Sequence, residues 1–188
     1  DDLKALSKNE HALVVVPGVP YPQVALALQV DDGARATKTL DSLRTASPGL
    51  LQQANLPNPS AQWAQVPLEG GVTGWDLPVS PEAHVTYGVD GNLAMIGTSP
   101  TILKAVQRPT QPLAEADGYK KALAGVPDDV TSVVWINVGE AVRLGEAAGA
   151  FKNDPEAVAN LRRIASISGW STGGKEQTFE MFFRLNPA

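Results

Sequence analysis

The sequence contains no cysteine. That absence removes disulfide staples, thiolate nucleophiles and thiolate metal sites together. Histidine is almost missing too: His11 and His84 are the two in the chain. A triad or zinc site must bring a histidine against a nucleophile or further ligands, and neither has such a partner nearby in sequence. No catalytic residue, metal ligand or cofactor is therefore assigned. No apolar run reaches the roughly 18 residues of a bilayer-crossing helix. No run of Lys and Arg exists; Lys120-Lys121 and Arg162-Arg163 are isolated pairs that read as solvated helix faces. With a formal net charge of -5, the chain lacks the electrostatic footprint of a nucleic-acid binder.

What is present is a folding chain. Its 188 residues are 43% hydrophobic and 19% charged, too apolar for disorder. That length suffices for one domain with a real core, or two small, closely packed halves. We read a single domain over 1–188 with halves at about 11–108 and 113–188, meeting at Pro109–Pro112. The abrupt start at Asp1-Asp2-Leu3 shows no signal peptide and leads us to expect membrane anchoring, where there is any, through a segment upstream.

Periodicity predicts an α+β chain. Asp1–Glu10 reads as a short helix or frayed end, and His11–Val16 as a β-branched strand. Val24–Val30 has Leu26, Leu28 and Val30 on one side and Ala25, Ala27 and Gln29 on the other, a central strand covered on at least one face. Asp31-Asp32 caps a helix carrying Ala36, Leu40 and Leu43, which Ser47-Pro48-Gly49 interrupts. Asn55–Ser60 is a loop, Trp63–Glu69 a strand, and Gly71–Pro81 mostly loop. Ala83–Val89 and Asn92–Thr98 form a hairpin turning at Asp90-Gly91. Ser99-Pro100 opens a helix with Ile102, Leu103 and Val106 inside.

Asp117–Ala124 reads as a short helix, and Asp128-Asp129 as a turn. Thr131–Val138 is the strongest strand. Asn137 and Glu140 have capping-box spacing before a helix with Ala141, Leu144, Ala148 and Phe151 on one side. Asp154-Pro155 opens a helix with Val158, Leu161 and Ile164. A last hairpin, Ala165–Thr172 and Glu176–Leu185, turns at Gly173-Gly174, with Phe179, Met181, Phe183 and Leu185 inward.

Two stretches share a plan of strand, capped helix and hairpin: Val24–Thr98, with an insertion, and Thr131–Leu185. This duplicated unit predicts a largely antiparallel sheet with helices packed on one face. The segments Val24–Leu43 and Val85–Val106, a strand into an Asp-capped helix and a hairpin into a Ser-Pro-capped helix, resemble recurring elements of the bacterial family catalogued as domain of unknown function 3352. The resemblance covers about half the chain. It implies an exported, often membrane-anchored protein of the cell envelope, and brings no activity and no functional residues.

Chemistry is sparse. Asp31 and Asp32 read as caps rather than a coupled acid pair. Glu69, Asp76 and Asp90 fall in different loops without calcium-loop spacing. Gly139–Gly149 is glycine-rich but lacks both phosphate-binding patterns, and its glycines let a helix lie close. Trp135 reads as core. Trp63 and Trp75, with the Gly71–Pro81 loop, form the candidate ligand or partner contact.

The reading is a non-enzymatic extracytoplasmic binding or interaction module, taking an unknown protein partner or an apolar small molecule and no nucleic acid. A hydrolase-like enzyme using two carboxylates about 5–9 Å apart, and a structural spacer of the cell envelope, are the alternatives.

Overall fold

In a computed structural model the chain divides into two compact units, residues 1–110 and 111–188. The residues described are 10–16, 18, 21–53, 60–81, 83–127, 130–152, 154–172 and 178–186, with backbone alone for 48–53. The expected helix at Asp1–Glu10, the loop at Asn55–Ser60, the turn at Asp128-Asp129 and the turn at Gly173-Gly174 lie wholly or almost wholly outside them.

The first unit has strands β1 (His11–Val16), β2 (Gln23–Gln29), β3 (Ala64–Pro67), β4 (Thr73–Pro78), β5 (His84–Asp90) and β6 (Leu93–Gly97), and helices α1 (Gly33–Gln53) and α2 (Pro100–Gln107). The strands form one antiparallel sheet in the order β1-β2-β6-β5-β4-β3. Chain alternation divides the core. Leu28, Val30, Tyr87 and Ala94 meet Ala36 and Leu40 of α1, while Ala25, Met95 and Leu68 meet Ile102 and Leu103 of α2. A one-sided cover is the expectation from the hairpins. This sheet has a helix on each face instead, because β2 and β6 are apolar on both sides and each side needs burial.

Local chemistry places these elements. Asp32 Oδ1 accepts the Arg35 N–H at 3.0 Å, and Ser99 Oγ accepts that of Ile102 at 3.2 Å, so each cap satisfies a free donor. The expected break at Ser47-Pro48-Gly49 does not occur, since α1 runs on to Gln53. Pro48 has no N–H for the Arg44 carbonyl, and the Ser47 hydroxyl donates to that carbonyl at 2.7 Å. The hairpin turns at Gly91-Asn92, one residue beyond expectation, because Asp90 pairs with Leu93. The start of α1 sits against this turn, where a β-carbon at Gly33 would run into the Gly91 carbonyl. Within the expected loop Gly71–Pro81, Thr73–Pro78 is strand β4. Gly74 and Asp76 alternate with Trp75 and Leu77 there, and Pro78 stands at its end.

The second unit has α3 (Asp117–Ala122), β7 (Val130–Asn137), α4 (Val138–Ala147), α5 (Pro155–Leu161), β8 (Ile164–Thr172) and β9 (Thr178–Leu185). Its sheet is antiparallel in the order β7-β8-β9. Val138, Val142 and Val158 form the buried cluster, packed by Phe151, Leu161, Ile164 and Ile167. The expected stripe on α4 is thus rotated: Ala141 and Ala148 are exposed. β7 passes into α4 without a linker, so Val138 sets which face turns inward. Asn137 Oδ1 accepts the Glu140 N–H at 3.2 Å, but the Glu140 carboxylate pairs with Arg143 at 2.8 Å, leaving half a capping box. A β-carbon at Gly145 would strike the Phe151 ring.

Candidate functional site

The two candidate tryptophans come together on the α1 side of the six-stranded sheet. Trp75 stands opposite Tyr87 across β4 and β5. Trp63 meets the Tyr87 ring edge-on, with centroids 5.4 Å apart. The Arg44 guanidinium lies 3.9 Å from the Trp75 ring centroid, a cation–π contact. Tyr87 donates its hydroxyl hydrogen to Asp41 Oδ1 at 2.7 Å and accepts from Arg44 Nε at 2.9 Å. The Trp63 indole donates to Ser47 Oγ at 2.8 Å, tying the strand region to the carbonyl that Pro48 leaves open. Burial raises the Tyr87 phenol above its ordinary value of 10.0, and donation to Asp41 raises it further, so it stays neutral. Trp63 and Trp75 are half-buried members of this network. The Trp63 ring edge and N–H are engaged by Tyr87 and Ser47, and the Trp75 ring by Arg44.

On the other side of the sheet lies a group that local sequence reading missed. Asp76 and Thr86 are directly opposed on β4 and β5. Asp76 is buried; one carboxylate oxygen accepts from the Thr86 hydroxyl and the other is 2.8 Å from His84 Nδ1. His84 and Asp76 are eight residues apart in sequence, so pairing across strands was the only signal that joins them. A carboxylate holding an imidazole is two-thirds of a triad, but the hydroxyl here binds the carboxylate and not the imidazole. The arrangement straps two strands together.

Asp90 lies at the far end of β5, where Gln107 Nε2 donates to it at 2.8 Å and to the Glu69 carbonyl at 3.0 Å. Arg108 stands 3.8 Å from Asp90. The three acids expected in separate loops thus include two on strands, each with its own partners. Among the described residues no three His, Asp or Glu side chains are grouped to hold a metal ion.

The three-stranded sheet presents a different kind of surface. Ile136, Ile167 and Phe183 form one row across it, and Val134, Gly169 and Met181 the next. Phe179 lies over Gly169, where a β-carbon would crowd its ring. Ile167 is packed by α4 and α5. The others remain open: Val134 is 48% exposed, Ile136 42%, Phe179 56%, Met181 52% and Phe183 58%. The alternation expected of β9 is present, but its apolar residues are not buried, because the packing of α4 and α5 reaches β8 and stops short of β9. Strand β7, at one edge of this sheet, has no charged residue.

No helix among the described residues is long and apolar enough to cross a membrane. The chain matches no family model, no curated protein and no solved structure.

Proposed function

We propose that this chain is a non-enzymatic extracytoplasmic binding module whose contact surface is the apolar face of the β7-β8-β9 sheet, and whose partner is a protein. The observation that carries the reading is the side-by-side exposure of Val134, Ile136, Phe179, Met181 and Phe183 on one face. Contiguous apolar surface of this kind marks interaction sites rather than ordinary solvent-facing sheet. Five open apolar side chains spread over β7 and β9 suit a protein surface better than an enclosed small ligand, and this favours a protein. Strand β7 is uncharged and, among the described residues, has a strand neighbour on one side alone, which suits strand addition by a partner. The envelope location rests on the family resemblance. Trp63 and Trp75 serve the fold in this reading.

The test places a photo-crosslinking phenylalanine analogue at Met181, and at Lys38 on α1 as a control, in the producing cells. A single protein adduct from position 181, absent at 38 and lost when Phe183→Lys is added, is the expected result. Equal adducts at both positions overturn the reading. So does an apolar small molecule extracted from the purified chain without any protein adduct. An adduct of twice the chain mass would make the partner a second copy of the chain and end the assignment to a different protein.

A further inference from the structure

The opposite face of the same sheet is polar in one row: Asn137, Ser166 and Arg184 stand side by side on β7, β8 and β9. Trp135 occupies the next row. Helix α3 packs on this face. Tyr119 meets Trp135 edge-on with ring centroids 5.6 Å apart, and the Ser168 hydroxyl donates to the Ala122 carbonyl at 3.1 Å. Beside this contact is a cavity of about 190 Å³, its polar wall made by Lys121, Trp135, Asn137, Ser166, Arg184 and Asn186.

The wall is rich in donors and holds no carboxylate. Lys121, Arg184 and the Trp135 indole can only donate. Trp135 Nε1 is buried with no hydrogen-bond partner among the described residues, which is rare for a buried indole. Neither Lys121 nor Arg184 enters an ion pair among the described residues. Asn137 has spent its carbonyl oxygen on the Glu140 N–H, so its amide N–H groups remain. Asn186 has spent an amide N–H on the Arg162 carbonyl. Two cations and a serine hydroxyl line one small space that holds no carboxylate, and they ask for an acceptor with negative charge; the Trp135 ring lines it too, but its Nε1 is closed off from it.

We infer that this cavity binds a small organic carboxylate. Arg184 supplies the planar fork that matches a carboxylate, and Lys121 a second charge. The Trp135 ring, Ala165 and Leu185 give the apolar side on which a short stem rests. At about 190 Å³ the space is below the roughly 300–1,000 Å³ of pockets for drug-sized ligands, so the ligand is small. The site lies on the face away from Phe183 and Met181 and does not rest on the protein-partner reading.

The experiment is a titration of the ¹⁵N-labelled chain with sodium benzoate at constant ionic strength, following the four tryptophan indole N–H signals. Trp135→Phe identifies the Trp135 signal. A saturable shift of that signal, with the other three unmoved, is expected. Arg184→Gln and Lys121→Gln should each weaken binding about tenfold; their three remaining indole signals report that they fold. Sodium chloride producing the same shift overturns the site, as do unchanged affinities in both variants. Saturation by inorganic phosphate but not by benzoate overturns the carboxylate assignment.

Discussion

The six-stranded sheet of residues 1–110 and the three-stranded sheet of residues 111–188 are built from the same parts. In each, a strand leads into a helix and an antiparallel hairpin follows. They differ in which hairpin arm meets the first strand: β2 pairs with the second arm, β6, whereas β7 pairs with the first, β8. The insertion β3-β4 explains the difference. It occupies the free side of β5 and leaves β6 to join β2; without such an insertion β8 returns directly beside β7. The consequence is burial. Ala25, Ala94, Met95 and Leu103 are wholly buried in the first unit, while every residue of β9 in the second is exposed. Extra strands turn edges into interior, and interior strands need helices on both faces. A three-stranded sheet has two edges and keeps surface for other uses.

The two methionines break or sharpen this contrast most directly. Met95 is fully buried and Met181 is 52% exposed. Met95→Ala should cost about 2–5 kcal/mol through the cavity it leaves, and Met181→Ala no more than about 0.5 kcal/mol, read from denaturant midpoints. Equal costs would mean that β9 is covered in solution and would remove the apolar surface from the argument.

Tyr87 comes next. Tyr87→Phe should cost about 1–2 kcal/mol, because Asp41 loses a donor and Arg44 an acceptor. Its phenol is raised above 10.0 in the folded chain. The contribution is therefore fully present below pH 10 and is lost as pH rises beyond it, since the unfolded chain releases that proton first. Ultraviolet titration of the three tyrosines should show one ionising late, and Tyr87→Phe should remove that phase. If all three ionise together near pH 10, the network is not closed.

Ser47→Ala should cost about 1 kcal/mol, as the Trp63 indole loses its acceptor and the Arg44 carbonyl its donor. Calorimetry of the variant checks this; no change would show that Pro48 needs no compensation. The smallest effect on stability is expected from dilute peroxide. Met181 should oxidise first, with Met95 protected and the melting temperature nearly unmoved. Peptide mapping that finds Met95 modified first would reverse the comparison of the two sheets.

Much of the secondary structure was legible because it is local. Asp32, Ser99, Asn137 and Asp154 announce helices by the donors they can satisfy, and each caps its helix. Alternation in Val24–Val30 and in Phe179–Leu185 revealed which residues share a face. Strand β4 was hidden by its flanking glycines and prolines, and the continuation of α1 past Pro48 depended on a hydroxyl one residue away.

The composition by itself determined that this is a folding, cysteine-free chain of net negative charge, and its periodicity determined the α+β class and the faces of most strands and helices. Only the tertiary structure decided what covers those faces. It closed the faces at Leu28 and at Met95 with separate helices, left Phe183 and Met181 open, drew Asp76 to His84 across two strands, and gathered Lys121, Trp135 and Arg184 around one cavity. Periodicity is a property of neighbours along the chain, whereas burial and convergence depend on strand order, and strand order is set by contacts between residues far apart in sequence.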